Sequence, residues 1–111
     1  MGADEFLAEL RRDGLLPAVI QGIAVFDYTI EVGTLAGTRA KLGLGVPGDF
    51  PLTPPPGPHV SPRVGHPHGA VHVSPLGVEW EYWSRPHSSW NQTDRTVAAY
   101  LRHIRALFAQ R

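Results

Sequence analysis

The chain has 111 residues, 10 Lys plus Arg against 10 Asp plus Glu, six His and no Cys. That length is one domain, 1–111, and zero net charge argues against a nucleic-acid or anionic-membrane partner, since both need a basic face. No apolar run nears the ~20 residues of a membrane span, and the lack of cysteine removes disulfides, thiolate metal sites and thiol nucleophiles.

The start, Met1-Gly2-Ala3-Asp4-Glu5, is acidic where a signal peptide is basic, which predicts a cytoplasmic protein. From Asp4 to Asp13, Phe6, Leu7 and Leu10 fall at helical spacing among charged residues. Asp4 suits the helix start and Gly14 the left-handed residue beyond its end. Pro17 closes this segment.

From Val19 to Val46 the period becomes two. Phe26, Tyr28, Ile30 and Val32 alternate with small or polar residues, as do Ala40, Leu42, Leu44 and Val46 after a glycine-bounded turn. This pattern predicts two or three antiparallel strands with one buried face. Pro47 to Pro86 holds 10 of the 11 prolines, a density that argues against long helices and central strands. Its apolar and aromatic residues nevertheless predict an ordered, extended loop that wraps the sheet and carries function. From about Thr93 to Gln110, Val97, Leu101, Ile104 and Phe108 make a helical stripe, with Leu101 and Ile104 expected in the core. Asn91 or Thr93 can cap this helix, and Asp94 in the first turn suits its dipole.

Two stretches carry a resemblance to ubiquitin-conjugating enzymes. Gly48-Asp49-Phe50-Pro51-Leu52-Thr53-Pro54-Pro55 resembles the D-Y-P-x-x-P-P signature that follows the meander in those enzymes. Ser89-Trp90-Asn91-Gln92-Thr93-Asp94-Arg95-Thr96-Val97 resembles their W-x-P-x-x-T-L entry into the next helix. Trp80-Glu81-Tyr82-Trp83-Ser84-Arg85-Pro86-His87 looks more like a Cys-less prokaryotic branch, found in bacterial ubiquitination-like operons. The resemblance implies an α+β fold: an N-terminal helix, an antiparallel meander, an ordered Pro-rich loop and a C-terminal helix packed on the sheet. It also implies a ubiquitin-like protein and an adenylating activating enzyme as partners. The surface that meets the activating enzyme would include Phe6, Leu7, Arg11 and Arg12. The family's cysteine has no counterpart here, and its His-Pro-Asn tripeptide has only a partial echo in His66-Pro67-His68.

Ser84 lies near where the family's cysteine would fall, with His87 three residues on. A serine hydroxyl needs a base to take its proton, and imidazole is the usual one. Asp94 could orient His87 or steer an incoming amine, or it could simply serve the helix start. Ser84 and His87 could equally be polar loop residues around Pro86. Ser88 and Ser89 are weaker nucleophile candidates, and Ser74 is weaker still.

Among metal candidates, His59, His66, His68 and His72 match no zinc spacing and enclose no acidic residue, so no metal or other cofactor is expected. Gly43-Leu44-Gly45-Val46-Pro47-Gly48 fits G-x-G-x-x-G, but the prolines after it forbid the helix that would hold a pyrophosphate. Asn91-Gln92-Thr93 fits a glycosylation acceptor and is explained by helix capping. Trp80, Tyr82, Trp83 and Trp90 are divided between core and binding surface.

The expectation is therefore a conjugating-type carrier of a ubiquitin-like protein, acting through an oxyester on Ser84. The alternative is an inactive variant that holds the ubiquitin-like partner non-covalently. A histidine-ligated metal protein stands third.

Overall fold

A computed structural model describes residues 2–111. Helix α1 spans Ala3–Arg12, and six strands follow: β1 Ala18–Ile20, β2 Ile23–Thr29, β3 Arg39–Gly45, β4 Pro58–Ser61, β5 Val71–Val73 and β6 Glu81–Trp83. A 3-10 turn at Trp90–Gln92 leads to helix α2, Val97–Ala109. The strands form one antiparallel sheet in the order β1-β2-β3-β4-β6-β5. The class is α+β, with an N-terminal and a C-terminal helix as expected. Among the described residues no helix is long and apolar enough to cross a membrane.

Alternation along the strands gives the sheet two different faces. Ala24, Phe26, Ala40, Leu42, Leu44, Val60 and Trp83 point into the core, where Phe6 and Leu10 of α1 and Tyr100, Ile104 and Phe108 of α2 meet them. Phe108 stacks on Tyr28 and tilts against Trp83, which fixes α2 across the inner face. The opposite face carries Asp27, Lys41, Gly43, His59, Tyr82 and His72 in cross-strand register. A side chain at Gly43 would run into Ile23 and Leu76, so the bare backbone there lets the segment after β5 lie over the sheet.

Several expectations are corrected. The Pro-rich segment is not only a loop, because β4 lies inside the sheet between β3 and β6. Pro58 opens that strand, where a missing N–H costs least. Helix α2 begins at Val97 rather than Thr93, with Thr96 as its cap, so neither Asn91 nor Thr93 caps it. At the start of α1, Gly2 occupies the cap position and Asp4 makes no capping bond. Ile104 is fully buried but Leu101 only partly. Phe6 is fully buried, which removes it from any surface on α1.

Candidate functional site

The segment after β6 is held in place on three sides. Ser84 donates its backbone N–H to the carbonyl of Ala70 at 3.0 Å, which extends the β5–β6 pairing by one residue. Arg85 crosses the 62–70 loop, donating to Gly69 O at 2.7 Å and to His66 Nδ1 at 3.2 Å. His103 of α2 bonds Arg85 O through Nε2 at 3.0 Å. A carbonyl only accepts, so Nε2 of His103 carries the proton.

His87 then lies flat on His103, with ring centroids 4.5 Å apart and planes 21° apart. Trp90 meets His87 edge-on at 5.9 Å and anchors itself by donating its indole N–H to Pro51 O. Burial and the neighbouring His103 push the His87 pKa below the ordinary value, which favours the neutral ring. Tyr100 closes the cluster from beneath. It is fully buried, its hydroxyl has no hydrogen-bond partner, and burial drives its pKa upward.

Ser84 is half-buried and no hydrogen bond joins its hydroxyl to His87. Asp94 is exposed in the turn between Gln92 and α2, and no hydrogen bond links it to His87. The chain therefore places the three residues around one loop without linking them. Ser88 and Ser89 are exposed on the same loop.

His66 is a structural residue. Its Nδ1 accepts from His68 N and from Arg85, so its Nε2 is the protonated nitrogen and donates to Leu107 O at 3.3 Å. Both nitrogens are engaged within the protein. His68 and His72 are exposed, and His59 bonds to Ser74 on the outer face. Of the four aromatics, Trp83 and Trp90 are buried while Trp80 and Tyr82 are half-buried.

The one hydrogen-bonded Ser–His pair among the described residues is Ser74–His59, Oγ to Nδ1 at 2.8 Å. By its place in the sequence Ser74 ranks behind Ser84, Ser88 and Ser89 as a nucleophile. The two are 15 residues apart, and only the β4-β6-β5 order brings them together. Compared with protein-family models, curated proteins and solved structures, the chain matches none.

Proposed function

We propose that the chain is a ubiquitin-conjugating-enzyme-like domain that holds a ubiquitin-like partner non-covalently. The order helix, antiparallel sheet, helix agrees with that architecture, although the sheet has six strands. The observation that carries the non-covalent reading is the His87 ring, stacked on His103 and without a bond to the Ser84 hydroxyl. Without a base in contact, a serine hydroxyl is a poor nucleophile. For the partner surface we take the β1 edge, where Leu16, Val19 and Ile20 are all exposed. Apolar side chains gathered on one edge mark an interaction site more than a monomer's ordinary surface does.

A second reading, the serine-linked carrier, is favoured by the uncommitted Ser84 hydroxyl and the neutral form of His87. One experiment separates them. The chain is incubated with an activating enzyme, ATP and a processed ubiquitin-like protein, then analysed by intact mass and by pull-down. Binding without a covalent adduct, weakened by Ile20→Lys, is the expected result. A hydroxylamine-labile adduct that disappears in Ser84→Ala establishes the carrier. Absence of both binding and adduct overturns the conjugation reading altogether.

A further inference from the structure

We propose that Ser74, paired with His59, is a nucleophile in the cleft beside β5 and takes acyl groups from esters. The inference is independent of any ubiquitin-like partner. Ser74 follows directly on β5 and lines a cleft of about 520 Å³, a volume suited to a small-molecule ligand.

The hydrogen bonding around Ser74 fits that role. Its Oγ accepts the backbone N–H of Leu76 at 3.2 Å, which fixes the side-chain rotamer and leaves the hydroxyl proton free for His59 Nδ1. His59 is itself held by burial and by the Tyr82 ring, 4.7 Å away between centroids. Burial lowers the His59 pKa from its ordinary value, so the ring is a neutral base at pH 7. This is the nucleophile–base contact that Ser84 and His87 lack.

The cleft also indicates the substrate. Val78 and Trp80 give it apolar walls, Val71 and Val73 line it from the inner face of the sheet, and Arg63 stands at its rim without an ion pair among the described residues. An apolar acyl chain fits the walls, and an anionic leaving group suits the guanidinium. A polar donor is available as well. Because Ser84 N–H bonds Ala70 O, Ala70–Ser84 and His72–Tyr82 are the hydrogen-bonded pairs of this ladder. The backbone N–H of Val73 therefore points to the open edge, where it is an unpaired donor at the rim of the cleft.

In the step itself, Ser74 Oγ bonds to the ester carbonyl carbon and its proton passes to His59 Nδ1. The carbon–oxygen bond to the leaving group then breaks, and the alkoxide or phenolate departs with the electron pair. The proton returns to solvent, and water later cleaves the acyl-serine.

The test uses the full chain with two probes, an alkyl fluorophosphonate and p-nitrophenyl butyrate. With the fluorophosphonate, the Ser74 oxygen displaces fluoride from phosphorus, and peptide mapping of the unaltered protein locates the adduct. The expected result is a single phosphonylated serine at position 74, together with release of p-nitrophenolate from the ester. Ser74→Ala should remove both signals while the variant stays folded, with a melting temperature lowered by the loss of its bonds to His59 and Leu76. His59→Asn should slow labelling about 10²–10⁴-fold, the usual contribution of a general base. No adduct at millimolar probe overturns the proposal, as does labelling at Ser84, Ser88 or Ser89 in place of Ser74. If His59→Asn fails to fold, the mapped position in the unaltered protein still decides.

Discussion

The indole N–H of Trp83 donates to Glu81 Oε2 at 2.7 Å, from two residues further along the inner face of the same strand. The same oxygen also accepts the backbone N–H of Gly65 at 2.7 Å and of Val64 at 3.2 Å. Glu81 is buried, and a buried carboxylate is tolerated only when such donors replace its water. One side chain thus ties the 62–70 loop to the strand that leads into Ser84.

Removing that carboxylate should be costly. Glu81→Ala would leave three donors unsatisfied and should lower stability by about 2–4 kcal/mol in urea denaturation. Glu81→Gln keeps an acceptor oxygen and should cost less. Equal stability of the alanine variant and the unaltered protein would show that water reaches this site.

Packing of α2 gives a second prediction. Ile104 is fully buried against the sheet, and Ile104→Ala should cost about 2–5 kcal/mol through the cavity left behind. Leu101 is only partly buried, so Leu101→Ala should cost clearly less. Thermal melts of the two variants rank them directly, and the reverse order would contradict the orientation of α2.

What the sequence made legible follows from range. Period-two alternation placed Phe26, Leu42 and Leu44 on one face, because neighbours in a strand decide their own orientation. The helix stripe placed Ile104 and Phe108 inward for the same reason. The prolines hid β4, since Pro58 stands at a strand start and Val60 needs β3 and β6 to reveal its pairing. The site was less legible still. Ser84 and His87 are close in sequence, yet the His87 ring turns to His103, a partner 16 positions away on α2. Ser74 and His59 are distant in sequence, and no spacing rule predicts the register that joins them.

Acid should destabilise the protein through its histidines. Burial lowers the pKa values of His59, His66, His87 and His103 from the ordinary 6.5, and nearby cations reinforce this for His66. The unfolded chain then binds more protons than the folded one once the pH drops toward 6.5. Stability is therefore fully present above about pH 6.5 and declines as the pH falls toward the depressed folded-state values. His66→Gln should reduce the steepness of this decline. Unfolding free energies that stay level from pH 7.5 to about 5, or that rise on acidification, would refute the assignment of neutral buried rings.

The N-terminus of α2 offers the last prediction. Thr96 Oγ1 accepts the backbone N–H of Ala99 at 3.1 Å, and Glu9 Oε1 accepts that of Val97 at 2.8 Å from across the fold. Helix α2 has no acidic residue of its own in the first turn, so α1 supplies the negative charge that its dipole favours. Thr96→Ala should cost about 1 kcal/mol, the usual value for a lost cap. Glu9→Ala should cost about 1–2 kcal/mol, because it removes both an acceptor and a charge and also loosens α1 from α2. Glu9→Gln should recover part of that loss by keeping the acceptor. The two residues cap the same helix turn, so a double variant should depart from the sum of the single losses. Asp94 is exposed and bonded to neither helix end, so Asp94→Asn should change stability by no more than about 0.5 kcal/mol. A larger loss from Asp94→Asn than from Glu9→Ala would return the capping role to Asp94 and displace Glu9 from it.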